Sequence, residues 1–343
     1  MREARFAVRR LFLRMAAATA VATSGLLAAP LVFADELPAV NVVTIVDHQA
    51  LDAFRDGAAE ALKEAGYESG KTLDWTFQSA QGNSGTVAQI ARKFVGSQPA
   101  AILAISTPAA QAAVAATKQI PVVYGAVTDP VAAQLVKTMG PSGTNVTGVS
   151  DRLEPGKQVK LIRKIVPSVK AVGMIYNPAE ANSKVAVNEM KAALAKEGIE
   201  LVEAAAPRSV DVGQAARRLV GKVDLIYTGT DNNVVAAYEA VAKVGNNAKI
   251  PLVAADTGSI RRGALAVLSV DYRDLGRQAG KQIVRILKGE KPGDLPSETS
   301  ENFVLILNQV AAHKQGVELS EQLKSEASCW SVEVVKGAAG RRR

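Results

Sequence analysis

The chain has 343 residues, with 41 lysines and arginines against 33 acids, a net charge of +8, 48% hydrophobic residues and one cysteine. Five arginines and one glutamate among the first 15 residues account for half of that charge, and Arg341, Arg342 and Arg343 for most of the rest, so the body between is close to neutral and offers no basic face for nucleic acid. One thiol excludes an internal disulfide, and about 300 residues are enough to bury the cores of two lobes.

From the amino terminus, an arginine-rich stretch is followed by an uncharged run from Ala16 to Phe33, with small residues Val32 and Ala34 ahead of Asp35. This predicts a cleavable signal peptide over residues 1–34 and export to the periplasm. Arg9-Arg10-Leu11-Phe12-Leu13-Arg14 resembles a twin-arginine signal, with an ordinary secretory leader as the alternative. The cleavage site lacks a cysteine for a lipid anchor, since Cys329 lies at the far end.

Beyond the leader, short apolar runs alternate with amphipathic stretches. The β-branched run Val40 to Val46 predicts a strand covered on both faces, and Leu51, Phe54, Ala58, Ala61 and Leu62 recur at helical spacing until Gly66. Strands follow at Leu73–Phe77, Ala100–Ile105, Pro121–Ala126 and Asn145–Val149, separated by helices near Thr86–Val95, Pro108–Thr117 and Asp129–Met139. A second unit has a helix at Pro155–Ile165, strands at Ala171–Tyr176, Glu200–Ala204, Val223–Tyr227 and Leu252–Ala254, and helices at Ser183–Lys196, Val210–Leu219 and Val234–Val244. A strand at Ala264–Val270, a helix at Leu275–Leu287 and a strand at Asn302–Leu307 complete the sheets, and residues 321–343 are expected to form a flexible tail. The fold class is α/β: two doubly wound parallel-sheet lobes joined by several crossings.

In such folds ligands sit beyond the carboxyl ends of the strands. Those positions here are polar: Ser106-Thr107-Pro108, Thr128-Asp129-Pro130, Asn177-Pro178, Thr230 to Asn233, and Asp256-Thr257. Each has the chemistry of a helix cap, and as a set they line the expected cleft between two lobes. The two histidines, His48 and His313, have no partners at metal or triad spacing, and no glycine-rich fingerprint opens a helix after the first strand, so no catalytic residue, metal or cofactor is expected. His48, just after the first strand, is a secondary candidate for the cleft.

Gln81-Gly82-Asn83, Ser106-Thr107-Pro108, VTDPVAAQLV at 127–136, TNVTGVSD at 144–151, IYNPAEANS at 175–183, TDNNVV at 230–235 and RRGALAVLSVDYRDLGRQAG at 261–280 resemble the substrate-binding proteins of ABC transporters for tryptophan, tyrosine and related solutes. The resemblance covers about residues 38–320. It implies a type I periplasmic binding protein, a monomer that closes on its ligand and delivers it to a membrane permease and ATPase. By it, residues 38–150 and 271–298 form the N-terminal lobe, and residues 151–270 and 299–320 the C-terminal lobe.

A free amino acid must keep hydrogen-bonded partners for both charged groups when it leaves water. Helix N-termini with Ser106 and Thr107, or Asn182 and Ser183, suit the carboxylate, and Asp231 and Asp256 suit the ammonium, with Asp129 a weaker candidate. Asn177 and Thr128 complete the polar cage, and Tyr124 and Gln81 are candidates for the side-chain pocket. Aromatic residues are only 4% of the chain, so smaller apolar amino acids remain alongside aromatic ones, and a nucleobase or a sugar is the alternative ligand. A sensory module presenting its ligand to a receptor kinase or chemoreceptor is the alternative role.

Overall fold

The structure, a computed structural model, describes residues 37–300 and 302–331. The predicted leader at 1–34 and the residues from 332 onward lie outside the described residues.

The first lobe is built from β1 (Ala39–Thr44), α1 (Gln49–Glu64), β2 (Asp74–Ser79), α2 (Ser84–Gly96), β3 (Ala101–Ile105), α3 (Thr107–Ala116), β4 (Val122–Val127) and β5 (Val146–Ser150). The second begins with α4 (Pro155–Ile165), β6 (Ala171–Tyr176), α5 (Ala181–Lys196), β7 (Glu200–Ala205), α6 (Val212–Leu219) and β8 (Leu225–Thr228). It continues through α7 (Asn232–Ala236), α8 (Tyr238–Ala248), β9 (Leu252–Ala254), a 3₁₀ turn at Thr257–Arg262 and β10 (Ala266–Val270). The chain then returns to the first lobe for α9 (Tyr272–Leu287) and β11 (Glu298–Thr299). It closes in the second with β12 (Phe303–Asn308), α10 (Gln309–Lys314), α11 (Glu321–Glu326) and β13 (Cys329–Ser331).

The first sheet has the order β11-β5-β4-β3-β1-β2, every pair parallel. The second runs β13-β12-β10-β9-β8-β6-β7 and is parallel except where β12 lies antiparallel to β10. Helices cover both faces, so β3 and β4 are buried at every position, as their unbroken apolar runs require.

Helix α9 covers the first sheet by packing on α1 at very short range. A Cβ at Gly276 would lie 1.9 Å from the Phe54 carbonyl oxygen, one at Gly57 2.1 Å from that of Arg273, and one at Gly280 2.6 Å from that of Ala58. The helices therefore meet backbone to backbone, and Glu60 ties them at the rim by pairing with Arg273 and Arg277.

Three expectations are corrected. Residues 129–139 form no helix: Asp129 caps a turn through the amides of Val131 and Ala132, and Gln134 then takes φ 60°, which ends it. Ala133, Leu135 and Val136 bury themselves in the core from this irregular path. The helix expected over Val234–Val244 breaks at Ala237 into α7 and α8, and Arg262 donates to the Val235 and Ala236 carbonyls freed by the break. The stretch expected as a tail from residue 321 opens with α11, capped by Ser320 and anchored by buried Leu323, and reaches the sheet as β13.

Because the α1–α9 contact leaves no room for a methyl group, Gly276→Ala is expected to destabilise the protein by about 1–3 kcal/mol or more, read as a lower midpoint in thermal or urea unfolding.

Candidate ligand-binding site

A narrow cavity, with space for about one water, lies where the carboxyl ends of β3 and β4 face those of β8 and β9. Eight of the residues singled out from sequence line it: Ser106, Thr107, Thr128, Asn182, Asp256, Thr230, Asn232 and His48. Asp151 and Tyr272 line it too. Its walls hold unusual backbone: Ser106, between β3 and α3, has φ 89°, and Ala126, at the irregular register of β4 against β5, has φ 51°. Left-handed backbone at non-glycine residues costs on the order of 1–3 kcal/mol, and here two such residues aim the ends of β3 and β4 at the cavity.

The side chains around it are incompletely satisfied. Ser106 Oγ, Thr107 Oγ1, Asp151 Oδ1 and Asn182 Oδ1 are all buried and none has a hydrogen-bond partner among the described residues. Ser106 and Thr107 open α3, with Pro108 following, so free backbone N–H groups share their side of the cavity. Asp151 stands opposite in character, a buried carboxylate whose Oδ2 accepts from the Tyr272 hydroxyl at 2.8 Å and whose pKa is pushed up by burial. Asn182, in the first turn of α5, reaches the Thr230 carbonyl only at 3.4 Å.

The lobes touch at this cavity. Thr128 of the first and Thr230 of the second lie hydroxyl to hydroxyl at 3.2 Å. Gly258, in the 3₁₀ turn, comes so near the first turn of α1 that a Cβ there would lie 3.0 Å from Gln49 Cβ. At the rim, Arg152 bridges Asp129 of the first lobe and Glu189 of α5.

The other candidates lie elsewhere or are engaged within the protein. Asp231 caps α7: its Oδ1 accepts from the Val234 amide at 2.9 Å, and its Oδ2 from the Asn177 amide and the Ser183 hydroxyl, both at 2.6 Å. It thus joins β6, α5 and α7 inside the second lobe, and Asn177 and Ser183 are its partners. Asp256 does line the cavity, but Ser259 occupies both its oxygens, the amide at 3.0 Å and the hydroxyl at 2.5 Å. Tyr124 is wholly buried in the first-lobe core, where burial pushes its hydroxyl up to about 12. Asp129 caps its own turn, and Gln81 bonds Asp47 at the mouth of a separate crevice. His48 caps α1 by accepting from the Leu51 amide, and burial and nearby Arg262 lower its pKa to about 4, so it faces the cavity as neutral imidazole.

Asp151 and Tyr272, which follow β5 and β10 where the chain passes between the lobes, are not among the residues that the sequence singles out. The same rule about strand ends finds them once the crossings are counted as cleft.

Behind the cavity, Glu180 accepts from Asn232 at 2.7 Å and sits close to Asp231. Burial first, and the Asp231 charge second, push its pKa up to about 7; burial raises Asp231 as well, opposed by its hydrogen bonds from Ser183, Asn177 and Val234. A carboxyl raised in the folded state favours folding at low pH, and that contribution is lost as pH rises from the ordinary carboxylate range through about 7. Glu180→Gln is therefore expected to melt like the parent near pH 4.5 and above it at pH 8, by on the order of 2 kcal/mol or a few degrees.

A family model of ABC transporter substrate binding proteins matches residues 39–330. A tyrosine-binding protein of Clostridioides difficile is 41% identical over 270 residues, 79% of this chain and 78% of that protein. The ABC domain in complex with L-Trp from Streptococcus pneumonia superposes with a TM-score of 0.83 at 33% identity, covering 86% of this chain and 100% of that one. The ligand-free, open structure of a substrate binding protein with adhesive properties from Clostridium difficile gives 0.66 at 39% identity, covering 86% and 99%. The two lobes are those of type I periplasmic binding proteins. With its matched residues spanning nearly the whole described fold, this chain belongs to the family of ABC transporter substrate-binding proteins.

Proposed function

We propose that this protein binds a free amino acid with an aromatic side chain between its lobes, in the periplasm, and hands it to the permease and ATPase of an importer. The observation that carries the reading is the set of four buried polar atoms without protein partners. Ser106 Oγ and Thr107 Oγ1 are hydroxyl donors beside the bare N–H groups of α3, which is what a carboxylate requires. Asp151 Oδ1 and Asn182 Oδ1 are acceptors, which is what an ammonium requires. A ligand carrying both groups on one carbon brings an acceptor for the first pair and donors for the second, and neither a neutral sugar nor a nucleobase brings a cation to Asp151. Tyrosine and L-Trp, the ligands named for two relatives, belong to this class.

Binding between lobes demands motion, because the cavity is too narrow for a solute to enter without separation. The fold matches the L-Trp complex better than the ligand-free, open structure although the latter is nearer in sequence, which supports a closed arrangement here and a hinge between the two.

Titration calorimetry of the purified protein with L-tyrosine and L-tryptophan tests the reading. Saturable binding is expected, and Asp151→Asn, which still accepts from Tyr272, should weaken it about 30-fold or more, because the ammonium is left facing a neutral amide. Binding of a sugar or nucleobase with no response to any amino acid would overturn it.

A further inference from the structure

A second hollow opens off the cavity and shares Thr128, Asp151 and Thr230 with it. It lies between the first turns of α4, the middle of α5 and the ends of β8 and β9, and its wall is largely apolar, with Leu153, Pro155, Ala186, Met190 and Tyr227. Glu189 also borders it, but that carboxylate is engaged by Arg152 at the rim. Besides the Tyr227 phenol, the remaining polar side chain is Gln158 of α4, which is 1% exposed. Its Nε2 donates to the Leu268 carbonyl at 2.8 Å, and since that partner can only accept, the orientation of the amide is fixed. Its Oε1 is consequently the unpaired end of the amide, buried and with no donor among the described residues.

A buried acceptor left unpaired is costly, so one on a residue that lines a ligand hollow points to a ligand that brings a donor. We propose that this hollow receives the ligand's aromatic ring and that Gln158 is the specificity-determining residue, its Oε1 accepting a hydrogen bond from a phenol O–H or an indole N–H on that ring. The inference rests on the amino-acid reading above and sharpens it. Met190 and Tyr227 suit a ring in this position, a thioether and an aromatic edge both favouring π-faces. The shared lining places the ring next to the head group held by Asp151. Phenylalanine fills the same apolar wall but leaves Oε1 stranded, and sites built around such an acceptor reject the ligand that lacks the donor.

The test is titration of the purified protein, and of Gln158→Met, with L-tyrosine, L-tryptophan and L-phenylalanine. Expected is a preference of about ten- to a hundredfold for tyrosine or tryptophan over phenylalanine, collapsing in Gln158→Met because the donor-bearing ligand weakens while phenylalanine does not. Since Gln158→Met also strips a donor from Leu268, its melting midpoint is measured alongside. Gln158→Asn, which keeps the amide but withdraws it by one methylene, should lose the same preference. Equal affinity for all three in the parent, or a preference that survives in both variants, would overturn the role of Gln158 while leaving the amino-acid reading intact. If none of the three binds, both fall together.

Discussion

The hydrogen bond from Tyr272 to Asp151 is the constraint around which the molecule is organised. Asp151 follows β5, where the chain first leaves the N-terminal lobe, and Tyr272 follows β10, where it returns. One contact thus ties two of the crossings to each other at the pivot. It also divides the labour of a carboxylate: the oxygen bonded to Tyr272 fixes the group, and the other is left for the cavity. Burial raises this carboxyl's pKa, and on the proposed reading the ligand's ammonium would offset that cost.

The polar residues at and around the cavity divide into two groups that look alike in composition. Asp231, Asp256, Asp129 and His48 are consumed by backbone amides at the starts of turns and helices, and they give the lobes their shape. Ser106, Thr107, Asp151 and Asn182 are spared that work. Ser106 shows how: at φ 89° it enters α3 from an angle at which its hydroxyl makes no cap, so the hydroxyl stays free for a guest. Strain in the backbone and availability of the side chain are two sides of one arrangement.

The lobes, their strands and most of their helices were legible because buried parallel strands must be continuously apolar and their covering helices amphipathic. The turn at 129–139 was not, since VAAQLV has helical composition and only the left-handed Gln134 stops it. Of the residues that strand ends and helix starts single out, the structure brings Ser106, Thr107, Thr128 and Asn182 together at the cavity. It makes Asp231, the expected partner for an ammonium, a cap inside the second lobe, because an N-cap and a ligand contact carry the same residue signature. Gln158 was invisible for another reason: it lies inside an ordinary helical pattern, and only the position of Leu268, 110 residues away, decides which end of its amide is free. Sequence spacing reports local geometry well, but the satisfaction of a buried polar atom is settled by distant chain.

The strand β13 has a meaning beyond the count of strands. Its neighbour β12, with the sequence FVLILN, is apolar and uncharged, and β13 covers the side of it that faces away from β10. An uncovered edge of that kind is a template for pairing with other chains. The dozen residues from Ser320 to Ser331 therefore act as a guard against self-association, and a protein clipped or truncated before Cys329 would keep its cleft while gaining a sticky border.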